Sequence, residues 1–459
     1  MSAGADVIVV GAGLAGLAAT AALAESGARV TTLEWRPYLG GRAYSYVHPA
    51  LDEVIDSQHV VLGCCTNIVD LVTRAGASDA IRWYDEMVFL EPGGRRSVLK
   101  PSGLPAPMQQ TMSLLRAPML SLRDKVSLAR GLMEFLRGFP ENDTESVASW
   151  MRRTHQTERA IRHFWEPVIL ATLNDSFERC SLKYAGKVFH EAFLRSARAG
   201  QMGVPTKPLS EFFAPVATRA EAMGATIRLR SQVRGVARVD EMWQVRLGTG
   251  EVLCAPSLVL ATDFRRTGQL LREVLGAGFP ELIEERLQVA PITSVHLWFD
   301  REVTTDEHAA LLDTRIQWMF HKSRIRRWPA ERGSYLELVI SGSFPELGMT
   351  REVVLASAME ELAMFYPAVR GATLVKSAVL KEARATFSVT PGLDTVRVDQ
   401  RMGLPGLFVA GDWTRTEWPS TMEGAVRSGR LAAGRALGRG DGLLAAELPA
   451  SGLMQWLSR

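Results

Sequence analysis

Gly11, Gly13 and Gly16 are spaced as Gly-x-Gly-x-x-Gly, and the acid Glu34 follows them by about 20 residues. Together these groups can hold a dinucleotide. Gly11 permits a tight turn, Gly13 lets the backbone approach a pyrophosphate, and Gly16 lets a helix pack closely on a strand. Glu34 is placed to take a ribose hydroxyl. The glycines work this way only if a strand enters them and a helix leaves. Val7-Ile8-Val9-Val10 is an unbroken β-branched run, read as a strand buried on both faces of a parallel sheet. Leu14 to about Ser26 is rich in Ala and Leu and reads as a helix stopped by Gly27, with Thr31-Thr32-Leu33 as the second strand. The turn at Ala12 and the first helical residues, Leu14, Ala15 and Gly16, then offer free N–H groups to phosphate.

The residues after Glu34 choose the dinucleotide. Glu34-Trp35-Arg36 leads to Leu39-Gly40-Gly41-Arg42-Ala43, which resembles the extended motif of the FAD-dependent amine oxidase and phytoene desaturase superfamily. There the chain returns over the cofactor and an arginine meets the pyrophosphate. Arg42 suits that role because guanidinium pairs with phosphate in a bidentate way. The resemblance implies FAD, with Arg36, Gly40 and Gly41 in the same wrap.

A narrower resemblance begins at Asp56-Ser57-Gln58-His59. With Val60-Val61-Leu62-Gly63-Cys64-Cys65, Ile81-Arg82-Trp83-Tyr84-Asp85 and Phe89-Leu90-Glu91-Pro92-Gly93-Gly94, the chain is similar to hydroxysqualene dehydroxylases, the squalene-associated FAD enzymes of bacterial hopanoid pathways. Their usual Asp-Asn-(Gly or Cys)-Gln-His is one residue shorter here. Phe164-Trp165-Glu166-Pro167 ahead of an apolar helix resembles the same family. A histidine beside a flavin is a candidate proton donor, since its pKa lies near working pH; from the residues alone, a histidine bonded to a loop is the equal alternative. The family reading makes His59 the donor, with Gln58 orienting it or the substrate, and Glu166 the next acid to consider. Glu166 otherwise caps a helix at Pro167.

Near the C-terminus, Gly406-Leu407-Phe408-Val409-Ala410-Gly411-Asp412-Trp413 reads as a strand ending in Gly-Asp, whose carboxylate can take a ribityl or ribose hydroxyl. A helix then opens near Met422, within Trp418-Pro419-Ser420-Thr421-Met422-Glu423-Gly424-Ala425-Val426. Its N–H groups would meet the flavin N1–C2 edge, where negative charge gathers on reduction. The resemblance adds Ala425 to that contact and gives Val233 the adenine through its backbone. Thr421 stands where amine oxidases usually carry a tyrosine, and the strand Pro291 to Phe299 lacks their lysine. An amine cage is not encoded.

The elements that must position these groups span the chain. Leu209 to Met223 reads as a helix, followed by strands near Ile227, Trp243 and Ser257–Thr262, while Gln201 to Leu209 reads as a linker. Residues 101–140 recur in Met and Leu at helical spacing with Arg116, Arg123, Lys125, Arg130 and Arg137 between them. Two placements fit: an amphipathic cap on a bilayer that admits a lipid, or core helices of a substrate domain. Arg324, Arg326 and Arg327 beside Trp328 read as a solvated turn or as attraction to anionic lipid.

Composition narrows the rest. The 459 residues are 47% hydrophobic, with 53 basic against 50 acidic residues and a net charge of +3. That balance gives no footprint for nucleic acid. Four cysteines without Cys-x-x-Cys spacing argue for a reduced, cytoplasmic setting, and eight scattered histidines give no metal-ligand pattern. Val7 to Ala24 is uncharged, but its glycines explain it better than a membrane span or signal peptide does.

The expected fold is α/β: a doubly wound, Rossmann-type, glutathione-reductase-like FAD domain from residues 1–85, 210–290 and 395–440. Interleaved with it is an α+β substrate domain with a helical cap from 86–209 and 291–394, and 441–459 forms a tail. The expected function is reductive removal of the hydroxyl of hydroxysqualene to give squalene, with hydride from reduced flavin N5. A carotenoid-type desaturase and a flavin-bound scaffold of an isoprenoid complex are the alternatives. The expected partners are an apolar isoprenoid, an unidentified flavin reductant and, through peripheral contact, the membrane's inner face.

Overall fold

The glycine turn lies at the head of a five-stranded parallel sheet. Its strands run in the order Thr226–Arg228, Val30–Leu33, Val7–Val10, Ser257–Leu260 and Leu407–Val409. The computed structural model describes residues 5–276 and 278–457; residues 1–4 of the expected FAD domain, residue 277 and residues 458–459 of the expected tail lie outside it. Val7–Val10 is central and buried throughout, so its sequence shows no polar alternation. Helix Leu14–Glu25 packs against helices Leu209–Ala222 and Met422–Ala436. The last contact is close because Gly429 has no side chain: a Cβ there would sit 2.1 Å from the Ala15 carbonyl oxygen. An antiparallel sheet of Val233–Val239, Met242–Leu247 and Val252–Ala255 completes this doubly wound part.

The second part is a mixed sheet of seven strands, ordered Leu374–Phe387, Val289–Phe299, Ser334–Ser341, Trp318–His321, His308–Leu311, Met87–Leu90 and Arg96–Leu99. Helix Arg351–Phe365 buries Val354, Ala358 and Leu362 against one face. Trp318 and Phe320 join the core formed by the helical residues between Val147 and Leu194.

Four expectations change. The stretch read as a linker contains strand Met202–Pro205, central to a small sheet between Val61–Leu62 and Ile81–Tyr84. Gly203 makes that possible, since a Cβ there would meet the Ile81 and Trp83 side chains within 3.0 Å. Residues 441–457 are no loose tail: Ala445 N donates to Asn67 Oδ1 and Leu453 N to the Ala106 carbonyl, and Met454 is fully buried. Residues 101–140 form helices Thr111–Arg116 and Leu122–Glu134, but they do not line the main cavity. Their inner face rests on the helical core, where Gly131 lies against Trp150 and Trp165. The Arg324–Arg327 knot is not solvated throughout, because Arg326 is buried against Asp56. Among the described residues, no helix is long and apolar enough to cross a membrane.

Candidate active site

One cavity of about 1340 Å3 begins at the glycine turn and continues between the two parts. At its head, helix Leu14–Glu25 has no side-chain cap on its first N–H groups, which leaves them for an anion. Gly41 closes over Gly13: the turn pairs Gly13 with Gly40, and a Cβ on Gly41 would stand 2.8 Å from the Gly13 Cα. Gly16 is equally constrained, since its Cβ would collide with the Gly11 carbonyl.

Glu34 is buried at the strand tip, accepting from Ala12 N through Oε2 and from Arg36 N through Oε1, at 2.8 and 2.9 Å. Each carboxylate oxygen keeps a lone pair for a ribose hydroxyl. Arg36 donates to the Gly41 carbonyl and stacks on Trp35, Tyr38 and Tyr44, so it holds the wrap. Arg42 crosses the cavity to Asp412, Nη2 to Oδ1 at 2.5 Å, and Asp412 also accepts from Ser420 Oγ. Both groups line the cavity, together with Val233, Gly411 and Ala425. Helix Met422–Ala436 begins at the expected residue, with Thr421 as its cap accepting from Gly424 N. Uncapped N–H groups, a glycine cradle and a buried acid fit a dinucleotide.

Gln58 and His59 lie on an irregular loop of the same cavity wall. Gln58 donates from its backbone N to Glu337 Oε1 at 2.6 Å and from Nε2 to the His59 carbonyl at 2.8 Å. It therefore orients the His59 backbone, and its Oε1 is buried with no partner among the described residues. His59 Nδ1 is 2.9 Å from the Ser57 carbonyl. A carbonyl only accepts, so Nδ1 carries the proton and Nε2 of the neutral ring is an acceptor. Burial pushes the His59 pKa below its usual value, against the opposing Ser57 contact. The proton-donor role expected for His59 thus requires a charge its surroundings disfavour. Glu166 is displaced more simply. It sits inside a continuous helical run from Glu158 to Leu173, neither capping it nor lining the cavity.

Several positioning residues escaped the sequence reading. Beneath the Gln58 loop, Lys322 lies 3.2 Å from Asp56 and 2.9 Å from Glu337, and Arg326 grips both Asp56 oxygens. Burial pushes the Asp56 carboxyl up, but Lys322 and Arg326 hold it down at about 2. Arg397, fully buried, donates to Tyr184 Oη, Thr416 Oγ1 and the carbonyls of Asp412, Thr414 and Trp418. It shapes the loop that presents Asp412 and Trp418. Lys187, buried in the cavity wall, lies over the rings of Phe139 and Trp418. A cation between Tyr184-Ala185-Gly186 and Val188-Phe189 was the available signal for Lys187; the other two depend on tertiary contacts that no local pattern shows.

Comparison with known proteins agrees with this geometry. The family described as flavin containing amine oxidoreductase matches residues 14–437. The chain is 25% identical over 453 residues to 15-cis-phytoene desaturase of Capsicum annuum, covering 93% of this chain and 77% of that one. It is 25% identical over 464 residues to the 15-cis-phytoene desaturase of Synechococcus elongatus, covering 95% and 97%. The fold is similar to cyclohexylamine oxidase from Brevibacterium oxydans, with TM-score 0.66 and 18% identity over 95% of this chain and 99% of that one.

Proposed function

The chain belongs to the flavin containing amine oxidoreductase family and is an FAD-dependent oxidoreductase, and from that premise we propose that it removes the hydroxyl of hydroxysqualene reductively to give squalene. The observation that carries this reading is the apolar part of the cavity that Gln58 and His59 also line. Val168, Phe193, Ile292, Trp318, Phe320 and Val339 line it there, a wall suited to a long hydrocarbon. An amine fits poorly. Lys187 places a cation in the wall, and Val289–Phe299 carries no lysine.

When bound and reduced, FAD supplies the hydride. The chain's own residues hold the phosphates at Gly13–Gly16 and Arg42, take the ribose at Glu34, and exclude water from the apolar arm. Neutral His59 accepts the substrate's O–H at Nε2 and so orients the alcohol, with Gln58 fixing the loop; the hydroxyl departs as water, so one proton is taken up from solvent with each hydride delivered. His59→Ala should keep its flavin spectrum and lose about tenfold in turnover, the scale of one lost hydrogen bond to the substrate; normal turnover would remove His59 from the reaction.

A second reading has a specific observation behind it. An unprotonated His59 Nε2 is also a base, and the two desaturases similar to this chain act, by their names, on 15-cis-phytoene. Product analysis separates the readings: squalene from hydroxysqualene with reduced holoenzyme supports dehydroxylation, and new double bonds in phytoene with oxidised holoenzyme supports desaturation. The exposed apolar stripe on helix Leu122–Glu134, flanked by Arg123, Lys125 and Arg130, is proposed to rest on an anionic bilayer.

A further inference from the structure

Lys187 is the one cation of helix Leu182–Val188 turned into the cavity wall, and it is only 7% exposed. Its Nζ lies 5.2 Å from the Phe139 ring centroid and 5.2 Å from that of Trp418. It makes no hydrogen bond or ion pair with any described residue. The charged groups around it are Glu191, Glu417, Arg427 and Glu447. Glu191, on the same helical run, is bonded to Arg195 at 2.7 Å, and Glu447 lies nearest Arg195 and Arg427. Among the described residues, none of the three carboxylates, Glu417 included, lies within ion-pair distance of the lysine.

An ammonium between two aromatic faces is partly compensated by their quadrupoles. Ring faces accept only weakly, however, so strong-donor capacity remains on a group with three N–H bonds. A strong donor that faces a cavity gains most from an acceptor on whatever occupies it. Trp418 adds a second donor, because its Nε1 is buried with no partner among the described residues. Both residues line the cavity that Val168, Phe193, Trp318 and Phe320 also line.

We propose that Lys187 is the oxygen-binding post of the cavity, donating a hydrogen bond to the hydroxyl of a long apolar alcohol. The inference rests on the reading of the substrate as an isoprenoid alcohol and adds the residue that would tell such an alcohol from the hydrocarbon of the same shape. Burial pulls the Lys187 pKa below that of a free lysine. The amine donates in either protonation state, most strongly as the ammonium.

The test uses FAD-loaded protein titrated with dodecanol and, separately, with dodecane, read from the perturbation of the flavin absorbance. Lys187→Met keeps the length of the side chain and removes the donor. It should weaken dodecanol binding roughly ten- to a hundredfold, the scale of a hydrogen bond to a charged group, and leave dodecane binding within about twofold. Equal changes for both ligands, or none, would overturn the proposal. If the Met variant loses its flavin, wild-type protein decides the matter. Reductive methylation of Lys187, mapped by peptide mass spectrometry at equal occupancy, should be slowed more by dodecanol than by dodecane, and equal protection overturns the proposal. Neither measurement depends on turnover. Selective alcohol binding without squalene formation would defeat the proposed reaction and keep the post; squalene formation without selectivity would do the reverse.

Discussion

Arg42 shows how the cofactor site is built from paired groups. It is half-exposed toward the cavity and held across it by Asp412, so one arginine serves both the phosphate and the loop opposite. Arg42→Ala should weaken FAD retention by about 1.5–3 kcal/mol, the scale of a charge-assisted hydrogen bond; a variant that loses flavin no faster on dialysis would contradict this. The buried charges below Gln58 act on stability. Lys322→Met leaves Asp56 and Glu337 short of a cation and should cost about 3–5 kcal/mol in urea unfolding; a change under about 1 kcal/mol would mean that water already compensates them. The same region predicts a pH profile. His296 is fully buried, with Nδ1 bonded to Tyr335 and Nε2 without a partner among the described residues, and burial lowers its pKa to about 4. The unfolded chain, with a histidine near ~6.5, takes up this proton first. Stability is therefore intact above pH ~6.5 and falls toward pH ~4, by about 3 kcal/mol over that window. The melting temperature should drop accordingly and His296→Gln should flatten the decline; a wild-type profile that is flat from neutral to acid would contradict it. Asp56, with its pKa lowered, has the carboxylate pattern: its contribution persists above pH ~4 and is lost only below.

At the scale of elements, the parts written as local chemistry were legible in the sequence. The strand, glycine turn and helix from Val7 to Glu25 were readable because Gly16 and Gly41 serve close backbone contacts that no other residue permits. The start of helix Met422–Ala436 was readable from the run Trp418 to Val426, and the structure adds Thr421 as its cap. Positions 202–205 were misread because Gly203 and Pro205 signal a linker, whereas tertiary pairing to Val61 and Ile81 makes them a strand. Glu166 was misread because Pro167 suggests a helix start, yet the helix had begun at Glu158 and passes through a wider turn at Ile161–Trp165. The Lys322–Asp56 and Arg397–Asp412 contacts join residues hundreds of positions or a loop apart, and no local pattern encodes them. Helix Leu122–Glu134 presents Leu122, Val126 and Met133 exposed, within about 40° of one line on its surface. Replacing the three with Ser should reduce sedimentation with anionic liposomes while flavin content stays constant; equal recovery of variant and wild type would count against bilayer contact.

At the scale of the whole molecule, one scaffold serves different chemistry through what surrounds the flavin. The chain shares its fold with an amine oxidase of 18% identity, while its cavity joins a buried cation, a neutral histidine and a hydrocarbon wall. Fold alone does not choose a reaction; the direction in which hydride moves does. The most direct measurement is anaerobic. Holoenzyme reduced chemically and freed of excess reductant is mixed with hydroxysqualene, and the return of the yellow oxidised flavin is followed alongside extracted products. One squalene should form for each flavin reoxidised, with no conversion by oxidised enzyme. Flavin that stays reduced while hydroxysqualene is recovered unchanged would contradict it.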